Sequence, residues 1–242
     1  MTVVNSVIGP DELVSRVSQA HARMLELADQ LDDRQKDAAS GLPGWSRGHV
    51  LQHLADNARA FERQALTALR GELKDMYDGG QGERDRSIER GAALPLAELR
   101  EDLMLAQQAL EDSWSRLTAA DWRRPVRFRH ATVLDTALAR WREAEIHAVD
   151  LALDYRPRDW SLAFALHALD FLSDRAPAGI RLVLRAVDDG FTRTLGSGTA
   201  VEVTGAVRDL AAWMAGRSLD GHLSTAGPHL PHLGPWPPDP AD

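Results

Sequence analysis

The sequence predicts an α+β protein of two domains, a four-helix bundle over residues 1–157 and a small α+β domain over 158–242. Three observations carry this. Before residue 157, four long segments repeat apolar residues at helical spacing and are joined by loops. After Asp154-Tyr-Arg-Pro-Arg158 the pattern changes to short alternating runs, Ile180-Arg-Leu-Val-Leu-Arg-Ala186 and Thr199-Ala-Val-Glu-Val-Thr204. The length, 242 residues with 44% hydrophobic and 26% charged content, suits one large soluble domain or two modest ones.

The elements follow in order. Pro10-Asp-Glu12 opens the first helix, with proline at the start and acids where the dipole favours them. Leu13, Val17, Ala20, Met24, Leu27 and Leu31 form its apolar stripe. Lys36 to Gly44 reads as a loop, and Ser46 as the N-cap of a second helix running to about Leu69. Val50, Leu54, Ala58, Phe61 and Ala65 are its buried side. Beside them runs a polar line, Ser46, His49, His53, Asp56, Asn57 and Gln64, poor in Glu, Lys and Arg and so a candidate site lining. Gly71 to Gly91 reads as a long polar connection, and such connections are more often functional than idle. Pro95 to Leu117 is the third helix. Thr132 to Leu153 is the fourth, starting at Thr132 or Asp135. Trp160 to Arg175 is one more helix. Phe191 to Leu195 is a strand set off by the hairpin signal Asp188-Asp-Gly190. Ala206 to Arg217 is a last helix, and the proline-rich tail from Pro228 is irregular.

Composition removes several kinds of function. A net charge of −8 argues against nucleic-acid partners and anionic membrane surfaces. No cysteine is present, which excludes disulfides, thiolate-ligated zinc and a protein thiol nucleophile. No signal-peptide pattern opens the chain and no apolar run approaches the ~18 residues of a membrane span. A cytoplasmic protein, monomeric or weakly oligomeric, is expected.

Glu143 and His147 lie four apart on the fourth helix, so their side chains stack and can reach one cation. An ordinary i,i+4 hydrogen bond is the alternative. His53 of the second helix supplies a third donor if it faces them across the bundle core. His49 and His53 are a second i,i+4 pair.

These residues carry a resemblance. Leu42-Pro-Gly-Trp-Ser-Arg-Gly-His-Val-Leu-Gln-His-Leu-Ala-Asp-Asn57, Met76-Tyr77 with Arg84, Ile88 and Gly91, and Arg142-Glu-Ala-Glu-Ile-His-Ala-Val-Asp-Leu151 resemble the mycothiol-dependent maleylpyruvate isomerases. So do Leu210-Ala-Ala-Trp-Met-Ala-Gly-Arg217 and the proline-tryptophan tail, so the likeness spans both domains. It implies a DinB-like metal-binding four-helix bundle joined to a domain similar to sterol carrier proteins. It implies zinc, or another divalent metal, on His53, Glu143 and His147, a set that leaves a fourth position open. It also implies mycothiol as a thiol cofactor, with Asn57 and Tyr77 contacting it. A metal-activated thiolate would add to the cis double bond of maleylpyruvate, permit rotation and leave fumarylpyruvate. Arg84 and Arg217 are expected to clamp the anionic substrate, and His49 to orient the site. Asp150 is either a hydrogen-bond acceptor for a ligand imidazole or a solvated acid. One departure is Glu145, where many relatives with the activity carry a large apolar residue beside the site. The alternative activity is a mycothiol S-transferase acting on an electrophile or a biosynthetic intermediate.

Overall fold

The computed structural model describes residues 8–237. They divide into two compact units, 8–153 and 154–237.

In the first unit, α1 (Pro10–Asp29), α3 (Arg47–Leu69), α5 (Leu96–Trp114) and α6 (Val133–Asp150) form the bundle. α3 packs against α5 and α6, and α1 closes the ring against the same two helices. The predicted caps hold. Ser46 accepts from the His49 N–H, and Thr132 accepts from Asp135 N–H in a reciprocal capping box. The buried stripes, among them Leu13, Val17 and Met24 on α1 and Val50, Leu54 and Phe61 on α3, form one core. α3 is buried almost all round because other helices cover it on three sides.

The third side corrects the sequence reading. The expected connection Gly71 to Gly91 contains α4 (Gly80–Ala92), which packs along α3. Gly79 and Gly80, both left-handed, start it, and Ile88, Gly91 and Ala92 are its buried residues. A Cβ on Gly91 would fall 2.1 Å from the Gln52 side chain, so a glycine is what lets α4 approach α3. The expected loop from Lys36 overlaps a short helix, α2 (Asp33–Asp37), with a capping box at Asp32. Lys36 is buried and donates to the carbonyls of Ala92 and Leu94 at 3.0 and 2.9 Å, fastening the end of α4.

In the second unit, α7 (Leu162–Phe171) and α8 (Val207–Met214) pack together, and α8 lies on a sheet of order β2-β1-β3-β4. The strands are β1 (Ile180–Ala186), β2 (Thr192–Gly196), β3 (Thr199–Gly205) and the two-residue β4 (Ser224–Thr225). β1 pairs antiparallel with β2 and parallel with β3. Leu182, Leu184 and Val203 point into the core, as alternation requires. The expected helix Trp160 to Arg175 is shorter: Ser161 caps it, and after Phe171 only a 3-10 turn, Ser173–Arg175, continues. Within the tail, the residues beyond 237 lie outside the described ones.

Candidate metal centre

One side-chain tie and one backbone tie bring the start of α3 and the end of α6 together. Arg47, the first residue of α3, donates to the carbonyls of Leu151 and Ala152 at 2.6 and 3.2 Å. The N–H of Gly41 donates to the Asp150 carbonyl at 2.7 Å. His53, in the second turn of α3, therefore faces the last two turns of α6.

There it meets both predicted partners. His53 Nε2 lies 2.9 Å from Glu143 Oε2, and His147 Nε2 lies 3.4 Å from the same oxygen. The two imidazoles stand edge to face, 4.8 Å between centroids. One donor atom from each of the three residues falls within 4.8 Å of the others. His53 is buried, whereas the Glu143 side chain remains 31% exposed, so the cluster opens on the carboxylate side.

The charges show what such a cluster favours. Burial lowers the His53 pKa to about 4 despite Glu143, so that ring is neutral. Burial works against a charged His147 too, but hydrogen bonds to Asp150 and Glu143 overcome it and raise the ring to about 9. Burial opposes ionisation of Glu143, yet the two imidazoles hold its carboxyl well below the usual range. Asp150 is 3% exposed, and its Oδ2 lies 2.9 Å from His147 Nδ1. Of the two expectations for Asp150, the hydrogen-bond acceptor is the one found. A carboxylate bonded to the far nitrogen of an imidazole fixes the ring and leaves Nε2 aimed at the centre, an arrangement typical of metal-ligating histidines. Two imidazole nitrogens and one carboxylate oxygen suit zinc, and three protein donors leave a coordination position for a substrate. The residues therefore fit a divalent cation.

Around this cluster the other expected residues take distinct places. Arg84, on α4, puts Nη2 3.3 Å from His53 Nδ1, and its guanidinium lies 6.0 Å from the Tyr77 ring centre. His49 belongs to the first turn of α3: its Nδ1 is 2.7 Å from Ser46 Oγ and its Nε2 is 3.3 Å from Glu89. Trp45 contacts both rings, at 6.2 Å from His49 and 5.5 Å from His53. Asn57, one turn beyond His53, is buried and accepts from Arg140 Nη1 at 2.8 Å. Glu145 is buried and takes both its oxygens to Arg23 of α1 at 3.1 Å, so its side chain is directed to that helix. In the second unit, Arg217 donates to the Ala215 carbonyl at 2.7 Å and lies over the Trp236 ring.

Sequence reasoning missed one structural device, Arg140. It is fully buried beneath the cluster, three residues before Glu143. Its Nη1 also donates to the Leu54 carbonyl, and its Nε donates to His21 Nε2 at 2.9 Å. His21 Nδ1 in turn meets Glu111 at 2.6 Å, so a carboxylate, an imidazole and a guanidinium run in line through the core. An arginine on the apolar arc of α6, beside Ala137, Trp141 and Ala144, was the available signal.

The family model of the mycothiol maleylpyruvate isomerase N-terminal domain matches residues 17–152, more than half of the chain and all three clustered residues. The chain belongs to this family. Two solved structures share the fold with a TM-score of 0.86, the mycothiol-dependent maleylpyruvate isomerase and a histidine-to-alanine variant of it. They are 24% and 23% identical to this chain, and each alignment covers 98% of it and 100% of the other chain. No protein of curated function matches the sequence. Among the described residues no helix is long and apolar enough to cross a membrane.

Proposed function

We propose that the chain isomerises maleylpyruvate to fumarylpyruvate, with a divalent cation, zinc by its donor set, on His53, Glu143 and His147 and mycothiol as a thiol that is not consumed. The observation that carries this reading is the convergence of those three donors inside the domain that the family model matches. When bound, the metal and thiol together supply a thiolate near neutral pH, a nucleophile able to add to a conjugated double bond and leave again. The chain has no cysteine, so it offers no thiol of its own.

The chain's residues perform the rest. His53, Glu143 and His147 hold the centre, and Asp150 keeps His147 oriented. Arg84 places a guanidinium beside the cluster, where it can pair with a carboxylate of the dianionic substrate and with the charge that develops on it. His49, bonded to Ser46, keeps the first turn of α3 in place. Tyr77 and Asn57 are assigned to the thiol, and Arg217 to the substrate, on the family resemblance.

The test is a thiol-dependent ultraviolet assay on maleylpyruvate. No turnover is expected without thiol, full turnover with mycothiol, and poor turnover with glutathione, a tripeptide lacking mycothiol's two rings. Full activity in thiol-free buffer would refute the mechanism. Formation of one equivalent of thiol adduct per turnover would make the chain an S-transferase instead.

A further inference from the structure

The α3–α4 side of the bundle carries two adjoining hollows that the reaction chemistry does not use. The first, about 230 Å³, is lined by Asp56, Arg59, Arg63, Tyr77, Arg84 and Ser87, among others. The second, about 550 Å³, shares Arg63, Tyr77 and Asp78 with it and adds Lys74, Asp75 and Arg127. Arg84 belongs both to the wall of the first hollow and to the surroundings of His53. The hollow therefore adjoins the metal cluster.

We infer that these two hollows bind the polyhydroxylated part of the thiol, its sugar ring and its cyclitol ring, with the sulfur end directed to the cluster. This rests on the thiol dependence proposed above. Three features point to a neutral polyol in place of the anionic substrate. First, the charges of the first hollow balance: Asp56, Asp78 and Glu83 stand against Arg59, Arg63 and Arg84. All three of these arginines already hold carboxylates, Arg59 with Asp102, Arg63 with Asp78 and Arg84 with Asp85. A carboxylate ligand would meet three acids there, whereas hydroxyls can donate to the acids and accept from the arginines together.

Second, Asp56 carries an unmet demand. Its Oδ1 takes the Gln52 amide at 2.9 Å, while its buried Oδ2 has no hydrogen-bond partner, although the Ser87 hydroxyl lies near the same carboxylate. A buried acceptor of this kind calls for a donor, which a hydroxyl has and a carboxylate anion lacks. Third, Tyr77 lines both hollows and gives them an aromatic surface, of the kind that ring C–H groups pack on, among hydrogen-bonding side chains. Two adjoining hollows that share Arg63, Tyr77 and Asp78 match two linked six-membered rings.

The experiment compares mycothiol with N-acetylcysteine, which keeps the same sulfur end and lacks both rings. Asp56→Asn and Ser87→Ala are expected to lower the ratio of kcat/KM for mycothiol over N-acetylcysteine by about tenfold, the effect of one lost charge-assisted hydrogen bond. An unchanged ratio in both variants overturns the inference and leaves the isomerase reading intact. Calorimetry with the thiol-free glucosaminyl-inositol gives an independent arm. It should bind the zinc-loaded native protein and bind Asp56→Asn about tenfold more weakly, even if no isomerase activity is found. No binding to the native protein, or equal binding to both, also overturns it. Competition of that binding by maleate in place of thiol would assign the hollows to the substrate and overturn the inference as well.

Discussion

Acidification should destabilise the bundle through His21, by an amount the structure allows to be worked out. Arg140 Nε only donates, so His21 Nε2 must accept from it, and the ring proton sits on Nδ1, facing Glu111. A second proton would have to go on Nε2, against the guanidinium. Burial, with Arg140 acting in the same sense, lowers the pKa of this ring from 6.5 to about 4 against the raising effect of Glu111. A histidine depressed on folding is protonated first in the unfolded chain. Its stabilising contribution is therefore complete above pH 6.5 and is lost as the pH falls towards 4. At about 1.36 kcal/mol per unit, the loss relative to neutral pH is about 2 kcal/mol at pH 5 and about 3 kcal/mol at pH 4. His21→Gln isolates this share, because glutamine offers an acceptor and a donor at similar positions and does not titrate. Urea unfolding followed by circular dichroism at pH 7, 6 and 5 should show the native protein losing about 2 kcal/mol more than the variant. Equal losses in the two proteins would refute the assignment of a neutral, bridging His21.

Further expectations concern the metal. Elemental analysis after dialysis should find about one zinc per chain; His53→Ala and His147→Ala should each abolish it, and Glu143→Gln should lower it less, since the amide oxygen still coordinates. Asp150→Asn should weaken zinc binding by about 10- to 100-fold in competition with a chromophoric chelator, because His147 loses the carboxylate that orients it. Arg84→Ala should tighten zinc binding in the same assay while lowering kcat/KM for maleylpyruvate. Weaker zinc binding in that variant would make Arg84 a support for the ligands and not a cation for the substrate.

Parts of this architecture were legible because local chemistry and periodicity agreed. Ser46 and Thr132 announced their helices by capping, and the apolar stripes of α1, α3, α5 and α6 set which faces turn inward. His53, Glu143 and His147 could be grouped because helical spacing places 143 and 147 together and a bundle turns facing helices inward. α4 could not be read this way. It buries only Ile88, Gly91 and Ala92, and its hold on α3 comes from a glycine contact and from Lys36 at its end, which are tertiary facts. His49 looked like a site residue because an N-cap partner and a ligand can share the same spacing. Its ring nitrogens face Ser46 and Glu89. Asp150 was ambiguous since nothing local says that Gly41 and its loop cover the end of α6. The buried line from Glu111 to Arg140 joins residues 29 to 119 positions apart, so no window along the chain displays it.

Arg84 links the centre to its surroundings through the tautomer of His53. Arginine has no acceptor, so the contact at 3.3 Å makes His53 Nδ1 the acceptor and puts the ring proton on Nε2, where it donates to Glu143. Ligation of a cation through Nε2 requires that proton to reside on Nδ1 instead. Two donors then oppose each other across the Arg84–His53 contact, and the guanidinium, which also holds Asp85 at 3.1 Å, loses one of its acceptors. A carboxylate from the substrate is an acceptor of the right charge for it, at the side of the cluster where Arg84 stands. Cation loading at His53 and anion binding at Arg84 thus favour one another, and by linkage the coupling acts equally in both directions. A neutral ligand in the hollow beside Arg84 takes no part in this exchange, which is why the cation that serves the substrate can also form part of the wall for the thiol.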